Sequence, residues 1–324
     1  MKFARSGPER GISRRTLFAV TLPMAGLLLA GCGSRFAGLR LTITTGSSGA
    51  VYNQLGTALA TSWAAQLGST APTVLTSAGS GQNLDRLLLG SADVGFSAAD
   101  AAAARAATPD GKRLRALVRM HDDYIQVVVP AGSPIARLAD LKGRRVSVGP
   151  ADSGVQMVAS RLLASAGLAG EGDLERVRLN IEASADALAR GEIDAFFWSG
   201  GIPTEQVTAL AARFPVRLVD LSDVVSAICR QYQEYDVAWV PVSAYHLPGP
   251  VTTLLLPNFL LVTDRMDAGL AQALTQGVFT AQPALAAANR AARSIDARSG
   301  IETVPIPLHP GALAYYRSAH YVSS

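Results

Sequence analysis

The sequence is poor in the residues that most enzymes use for catalysis. Its 324 residues include four histidines and two cysteines. The histidines show no metal-ligand spacing, and the motifs HExxH, CxxC and GxSxG do not occur in the chain. Gly111-Lys112-Arg113 lacks the preceding loop and the following Ser or Thr of a phosphate-binding P-loop. The sequence therefore predicts a protein without catalytic residues, a metal or a cofactor.

The chain also lacks an excess of charge outside its first segment. Residues 1–31 contain five of the 29 basic residues and one of the 25 acidic residues, which accounts for the net charge of +4. The remainder has 24 residues of each sign. Because a nucleic-acid-binding protein needs a basic surface, this balance disfavours a nucleic-acid partner.

Residues 1–31 have the pattern of an export signal. Ser13-Arg14-Arg15-Thr16-Leu17-Phe18 resembles the twin-arginine motif, although an arginine pair also serves as an ordinary basic region of a general secretory signal. The uncharged run from Leu17 to Gly31 is shorter than the roughly 20 residues of a membrane span. This pattern predicts a signal peptide that directs the protein out of the cytoplasm.

The two cysteines are predicted to have different roles, one as a lipidation site and the other as a packed apolar residue. Leu29-Ala30-Gly31-Cys32 resembles the lipobox of bacterial lipoproteins, which predicts cleavage before Cys32 and a lipid such as palmitate on that residue. Residues 32–38 would then form a tether to the outer face of the cell membrane. Cys229 would have no partner for a disulfide, and it is expected to pack as a small apolar residue.

The residues from Leu39 to Leu67 predict a strand, a loop and a helix. Apolar and polar residues alternate from Leu39 to Thr44, as in a strand with one buried face. Gly46–Gly49 interrupts this pattern, and from Ala50 an apolar residue recurs at every fourth position, as on one face of a helix. The N–H groups at such a helix N-terminus favour anions, but every α/β protein has ordinary connections of this kind.

The chain repeats this unit. Arg144–Gly149 predicts a second short strand, and Pro150–Gly154 predicts a loop before another helix. The segment that follows the first unit aligns with the one that follows the second. The aligned pairs are Gly90 with Gly191, Asp93 with Asp194, and Phe96 with Phe197. Two similar halves predict two α/β lobes that face a shared cleft.

Two long apolar segments are predicted to connect the lobes. Tyr124–Pro130 is read as a strand that leaves the first lobe, and Thr252–Thr263 as the strand that returns to it. Pro257 fits an edge, a bulge or a break in the returning strand. The predicted limits are therefore residues 39–132 plus 250–324 for lobe one, and residues 133–249 for lobe two.

Uncharged polar residues in the predicted loops are the candidate ligand contacts. The loops at 46–49, 78–83 and 97–100 are expected to meet at one sheet edge, with Ser97 as the N-cap of a helix from Ala98 to Ala107. Asp122-Asp123 is read as a solvated turn. For most of the candidates the alternative role is capping or turn formation. The candidates are Ser47, Ser48, Tyr52, Ser80, Gln82, Asn83, Ser97, Ser153, Gln156 and Trp198.

An ordered set of sequence blocks resembles the TAXI family, which comprises the solute-binding subunits of one branch of TRAP transporters. The blocks, which span about Leu39 to Tyr316, are TTGSSGAVYNQLG, SAGSGQNLDRLLLGSADVGFSAAD, GPADSGVQMVASRLL, FFWSGGIPT and PLHPGALAYYR. The resemblance implies a type II periplasmic-binding-protein fold, in which two α/β lobes joined by two crossover segments trap a ligand. It also implies glutamate, glutamine or a related dicarboxylate as ligand, and a TRAP permease as partner.

The chain departs from the family pattern at several positions of the predicted cleft. Asn53 and Gln54 follow Tyr52 where the family has Tyr-Pro, and Val155 stands where the family has a hydroxyl residue. A ligand-binding sensory lipoprotein that serves a membrane histidine kinase remains an alternative, and an enzyme on the same fold is disfavoured. We expect a monomer. The predicted ligand contacts are Ser47, Ser48, Tyr52, Asn83, Ser97 and Asp100 in lobe one, with Asp100 facing an amino group or capping its helix, and Ser153, Gln156, Trp198 and Gly200 in lobe two.

Overall fold

A computed structural model of the chain describes residues 36–151 and 153–321. The predicted signal peptide, the lipidation site Cys32 and the first part of the tether lie outside these residues. Among the helices that the structure describes, none is both long and apolar enough to cross a bilayer.

Strands and helices alternate along most of the described chain. The strands are β1 (Thr42–Thr44), β2 (Thr73–Leu75), β3 (Val94–Ala98), β4 (Leu114–Pro130), β5 (Arg145–Ser147), β6 (Glu175–Val177), β7 (Ala195–Gly200), β8 (Val216–Leu218), β9 (Asp236–Val240) and β10 (Val251–Thr263). The α-helices are α1 (Val51–Leu67), α2 (Ser80–Leu89), α3 (Ala99–Ala106), α4 (Gly154–Ser165), α5 (Ile181–Ala189), α6 (Glu205–Arg213), α7 (Val225–Gln231), α8 (Ala268–Thr280), α9 (Gln282–Ala288), α10 (Ala297–Gly300) and α11 (Pro310–Ser318). Short 3₁₀ segments lie at Gly111–Arg113, Leu138–Leu141, Val242–Ala244 and Arg290–Ser294.

The strands form two α/β lobes that share one continuous sheet. The sheet order is β2-β1-β3-β10-β4-β7-β5-β6, with β8 on β4 and β9 on β10. β1, β2 and β3 are parallel neighbours in lobe one, and β5, β6 and β7 are parallel neighbours in lobe two. The segments that follow parallel strands lie at the same sheet edge, so the chain after β1, β2 and β3 lies at one edge of lobe one.

The long strands β4 and β10 are the two crossovers. They pair antiparallel from Leu255 opposite Tyr124 to Thr263 opposite Leu114, and β4 then continues along β7. Two β-bulges interrupt the ladder, one of them between Asn258 and Phe259. The predicted limits between the lobes fall at the ends of these crossovers. The crossover strands themselves belong to both lobes.

The internal repeat is visible in the hydrogen bonds. Asp93 accepts a bond from the backbone N–H of Thr42, the first residue of β1, at 2.8 Å. Asp194 accepts the same bond from Arg145, the first residue of β5, at 2.8 Å. Gly90 and Gly191 adopt φ values of 76° and 69° beyond their helices, a left-handed conformation that glycine adopts without a steric penalty.

In the described part of the chain the buried apolar residues form three clusters, and one of them extends across both lobes. One cluster fills lobe one around Trp63 of α1, and another fills lobe two around Phe196 of β7. The third joins Leu84 and Ala101 of lobe one to Val155 of lobe two. The two lobes therefore pack against each other through an apolar contact.

Several predictions of local structure are wrong. The loop predicted at 78–83 ends at Gly79, because this glycine, with φ of 134°, turns the chain directly into α2 at Ser80. Ala98, not Ser97, is the N-cap of α3, and Ser97 donates to the carbonyl of Ala98 at 3.0 Å. Asp122-Asp123, which was read as a solvated turn, lies inside the continuous strand β4, so this pair is not a turn.

Candidate functional site

The candidate site lies where the two crossovers pass between the lobes. His121 and Asp123 of β4 lie opposite Asn258 and Leu256 of β10. We call the polar side chains at this point the crossover cluster. Its members are Tyr52, His121, Asp123, Ser199 and Asn258.

Tyr52 joins the first helix of lobe one to the crossovers. Its hydroxyl donates a hydrogen bond to Oδ1 of Asn258. Its ring stacks on Phe96 of β3 at 5.2 Å between ring centroids, and it meets the ring of His121 edge-on at 6.0 Å. Burial raises the pKa of the Tyr52 hydroxyl, and the negative charges of Asp123 and Asp100 raise it further. Tyr52 is therefore a neutral hydroxyl in this site.

Asp123 contributes a buried carboxyl group. Its side chain is 14% exposed, and Ser199, at the end of β7, donates a hydrogen bond to its Oδ2 at 3.1 Å. Burial raises the pKa of Asp123 to about 6, although the hydrogen bonds from Ser199 and Asn258 act in the opposite direction. The carboxylate thus keeps its charge at neutral pH without being strongly stabilised.

His121 is the other titratable group of the crossover cluster. The residue is 3% exposed, and its Nε2 lies 3.6 Å from Oδ1 of Asp123. Burial lowers the pKa of His121 to about 4, so the imidazole is neutral at pH 7. Its Nδ1 is buried and has no hydrogen-bond partner. A buried polar atom of this kind is costly unless another molecule can satisfy it.

A second polar network joins the lobes beside α3. Tyr235 of lobe two donates a hydrogen bond to Oδ2 of Asp100 of lobe one at 2.8 Å. Arg161 of α4 donates to Tyr235 at 3.1 Å and to Glu234 at 2.7 Å, and its guanidinium lies 4.0 Å from the centroid of the Tyr232 ring. We call Asp100, Arg161, Glu234 and Tyr235 the closure network, since the bond from Tyr235 to Asp100 crosses the boundary between the lobes and Arg161 joins Tyr235 to Glu234 within lobe two.

A pocket of about 310 Å³ opens between the lobes near these groups. Ser80 and Arg105 line it from lobe one, and Ser153 and Gly154 line it at the start of α4 in lobe two. Ser80 is also a hydrogen-bond neighbour of the Tyr52 hydroxyl. Ser80 is thus the link between the pocket and the crossover cluster, whose own members do not line the pocket.

Three predicted contacts of lobe one are buried and bonded within the protein. Asn83 is fully buried, accepts from the Thr44 hydroxyl at 2.6 Å, and donates to the carbonyls of Thr45 and Phe96 at 2.6 and 2.9 Å. Ser97 is fully buried as well. Asp100 is engaged by Tyr235 and by the backbone N–H of Ala101, and burial raises its pKa to about 6.

The predicted contacts in the two small-residue loops differ in their partners. Ser47 and Ser48 are exposed, and the helix α1 that follows has no side chain capping its N-terminus. Ser153 is partly buried and caps α4, since its hydroxyl accepts from the N–H of Gln156 at 3.2 Å and donates to Pro150 at 2.7 Å. Ser153 therefore caps α4 and also lines the pocket between the lobes.

The remaining predicted contacts lie on α4 and β7 of lobe two. Gln156 is partly buried in the first turn of α4. Trp198 is partly buried, and its indole N–H donates to the hydroxyl of Thr204 at 3.2 Å. Gly200 lies beside Trp198 so closely that a Cβ on it would be 2.6 Å from the indole nitrogen. Trp198 and Gly200 therefore have a packing role within lobe two.

Sequence reasoning missed several polar groups at the boundary between the lobes. His121, Asp123 and Asn258 interrupt two long apolar strands, and this interruption is a signal that the sequence does contain. Arg161 and Tyr235 had no such signal, because their partners are distant in the chain. Within residues 36–151 and 153–321, no group of His, Cys, Asp and Glu side chains has the arrangement of a metal site.

Comparisons with known proteins agree with this architecture. The profile of the NMT1-like family matches residues 43–319. The structure of XAC2383 from Xanthomonas citri bound to ATP is 16% identical in sequence and has a TM-score of 0.53, over 88% of this chain and 99% of that one. The periplasmic aliphatic sulphonate binding protein SsuA from Escherichia coli is 21% identical, with a TM-score of 0.49, over 86% of this chain and 82% of that one. The two-lobed periplasmic-binding-protein fold predicted from the sequence is confirmed.

Proposed function

The chain belongs to the NMT1-like family, and on this premise we propose that it is an extracytoplasmic solute-binding protein that captures a small carboxylate between its lobes. The observation that carries the proposal is the interlobe pocket of about 310 Å³, which Ser80 and Arg105 line from lobe one and Ser153 lines from lobe two. Such a site can close around a small molecule by bending at the crossovers.

The uncharged groups of the boundary can hold a carboxylate. Ser47 and Ser48 precede the uncapped N-terminus of α1, and Ser153 lies in the pocket at the start of α4. Hydrogen bonds to a charged group contribute about 1.5–3 kcal/mol each, so four or five of them could offset the loss of ligand freedom and give micromolar binding. We propose Ser47, Ser48, Tyr52, Ser153 and Gln156 as ligand contacts.

The proposal extends to the solute and the client. We infer glutamate, glutamine or a related dicarboxylate as ligand and a TRAP-type permease of the TAXI branch as partner, on the strength of the sequence blocks quoted above. A lipid anchor at Cys32 would hold the protein at the outer face of the membrane. Interlobe pockets without a catalytic constellation are typical of binding proteins, so we propose no enzymatic activity.

Calorimetry tests the proposal. The mature protein is expected to bind at least one of glutamate, glutamine, 2-oxoglutarate or a C4 dicarboxylate with micromolar affinity. The Ser153→Ala variant should lose affinity about tenfold, since one charge-assisted hydrogen bond is removed. Ser160→Ala is the matched control, because Ser160 lies on the exposed side of the same helix. Absence of binding to every carboxylate would overturn the proposal.

A sensory lipoprotein with a histidine kinase as client is the second candidate. The binding residues are the same in both cases, so affinity does not distinguish them. The neighbouring genes do: a permease gene beside this one supports transport, and a kinase gene supports sensing.

A further inference from the structure

Strand β9 of lobe two has exposed apolar side chains. Trp239 is 62% exposed and Val237 is 42% exposed, and their side chains lie on the same face of the strand. Val242, just beyond the strand, is 45% exposed. Tryptophan is enriched at protein interfaces, and an apolar patch on an exposed strand marks an interaction site or a risk of aggregation.

One edge of β9 is paired and the other is free. Thr252 of β10 lies opposite Trp239. Its N–H donates to Oδ2 of Asp220 at 2.8 Å and its carbonyl accepts from the N–H of Leu221 at 3.0 Å, so both of its backbone groups point away from β9. The bonds between β10 and β9 therefore come from the neighbours of Thr252. Trp239 and Val237 accordingly direct their N–H and C=O groups to the free edge of β9.

These backbone groups are arranged so that β9 can pair with a second β9. In an antiparallel pair with a two-fold axis at Ala238, Val237 of each copy lies opposite Trp239 of the other copy. Both residues direct their backbone groups to the free edge, so each pair exchanges both N–H···O=C bonds. The valine side chain then lies beside the tryptophan ring, and pairs of β-branched and aromatic residues stabilise antiparallel sheets.

The residues at the centre and the ends of β9 are compatible with this register. Ala238 is small, as the close approach at the two-fold axis requires. Asp236 lies opposite Val240 of the other copy, so the two aspartates do not face each other. Pro241 is the next residue that would direct an N–H to the free edge, and proline has none, so the pairing ends there.

The paired surface is small. β9 has five residues, and a fully covered aromatic side chain buries about 150–250 Å². One Trp and one Val from each copy, with the strand edges, stay below the roughly 1,600 Å² of a standard stable interface. The area therefore predicts a weak dimer, with a dissociation constant on the order of 10–100 μM.

We propose that the partner of the free edge of β9 is a second copy of this chain, joined in the antiparallel register centred on Ala238. The same register satisfies both copies at once, which an unrelated segment would have to match by chance. The dimer differs from the monomer expected from the sequence. Val237 and Trp239 do not line the interlobe pocket, so dimer formation is independent of the proposed function.

Sedimentation equilibrium tests the proposal. The protein is measured from about 1 μM to about 1 mM, a range that brackets the expected dissociation constant. The weight-average mass should rise from the monomer value towards twice that value. A monomer mass at every concentration would overturn the inference and leave the proposed function intact. A dimer that binds no carboxylate would overturn the proposed function alone.

Two substitutions of exposed apolar residues assign the dimer to a surface. Trp239→Lys places a charge on the strand edge and should raise the dissociation constant at least tenfold. Leu89→Lys is the matched control, because Leu89 is 82% exposed but lies at the end of α2, outside β9. It should keep the wild-type dissociation constant. A dimer that Leu89→Lys abolishes would overturn the assignment to β9.

The backbone is tested at Val237. Val237→Pro removes an N–H at the free edge, whereas the pairing with β10 uses the neighbouring residues, so the variant should fold and lose the dimer. Val237→Thr keeps both the N–H and a β-branched side chain and should retain most of the association. Circular dichroism establishes that each variant is folded. A dimer that persists in folded Val237→Pro or in folded Trp239→Lys would overturn the proposed register.

Discussion

The two repeated α/β units of this protein form equivalent hydrogen bonds between a strand and a helix at equivalent positions. Thr44 ends β1 and bonds Asn83 of α2, whereas Ser147 ends β5 and bonds Ser184 of α5 at 2.8 Å. Asn83 and Ser184 each precede the glycine that ends their segment by seven residues. A position that makes the same internal bond in both halves holds a helix to a strand. Asn83 is therefore a structural residue in this structure.

Some polar residues have no equivalent in the internal repeat, and these residues lie on the crossover strands. The crossovers occur once in each direction, and they carry His121, Asp123 and Asn258. Residues at the repeated positions stabilise each lobe. Residues of the crossovers, which are not repeated, lie at the boundary where a ligand can bind. Four measurements can break or sharpen this distinction.

The largest expected effect is at Asn83. Asn83→Ala removes three buried hydrogen bonds and leaves the carbonyls of Thr45 and Phe96 without that donor, so it should lower the free energy of unfolding by about 3 kcal/mol. Ser184→Ala removes one bond and should cost about 1 kcal/mol. Urea denaturation measures both. Equal losses would contradict the account of Asn83 as the stronger tie.

The next effect is at the paired aspartates. Asp194 is bonded to the backbone N–H of Arg145 and to its guanidinium, whereas Asp93 is bonded to the backbone of Thr42. With allowance for its partial exposure, Asp194→Ala should lower the free energy of unfolding by about 2 kcal/mol, and Asp93→Ala by about 1 kcal/mol.

The pH dependence of stability tests the cause of the Asp194 effect. The hydrogen bond from Arg145 lowers the pKa of Asp194 in the folded protein. A lowered folded pKa stabilises the protein above the ordinary aspartate pKa of about 4, and this contribution is lost as the pH falls through the lowered value. The stability difference between wild type and Asp194→Ala should therefore shrink in acid. A difference that stays constant from pH 7 to pH 3 would contradict this cause.

A smaller effect concerns the tie between the lobes. Tyr235→Phe removes the hydrogen bond to Asp100, which should favour the open form by about 1 kcal/mol and increase the radius of gyration in small-angle X-ray scattering. Tyr232→Phe keeps the ring under Arg161 and is the control. A radius that is the same in both variants and in the wild type would show that the apolar contact alone holds the lobes closed.

The smallest effects are at the two helix N-termini. Ser153→Ala removes the cap of α4 and should lower the free energy of unfolding by about 1 kcal/mol. Ala50 occupies the same position before α1 without a capping side chain, so Ala50→Ser should stabilise by about 0.5 kcal/mol. Thermal denaturation of the two variants would show shifts of opposite sign. A destabilised Ala50→Ser protein would mean that this N-terminus cannot accommodate a cap.

The local patterns of the chain predicted most of the fold. Alternation at Leu39–Thr44 and the four-residue period of α1 depend on neighbouring residues, so the sequence displays them directly. The alignment of Asp93 with Asp194 predicted a real structural equivalence, because each residue accepts a hydrogen bond from the backbone N–H at the start of the first strand of its unit. The start of α2 was predicted too late, since a run of small polar residues fits a loop and a first helical turn equally well.

The candidate site was harder to predict, because it depends on contacts between distant residues. Nothing near Asp100 in the chain indicates that Tyr235 will reach it. Asp123 resembles a turn residue in sequence, and its burial follows only from the pairing of β4 with β10 and β7. Neutral loop residues were favoured as contacts, whereas the structure brings buried carboxyl groups to the same boundary.

The crossovers also determine how the molecule comes apart. β4 completes the sheet of lobe one with its first half and pairs with β7 of lobe two with its second half, and β10 runs beside it. Because β4 pairs with strands of both lobes, unfolding of one lobe would leave the other lobe with an incomplete sheet. Heating should therefore melt both lobes in one cooperative transition, and a stabilising ligand would protect the amide hydrogens of distant strands as well as those beside it.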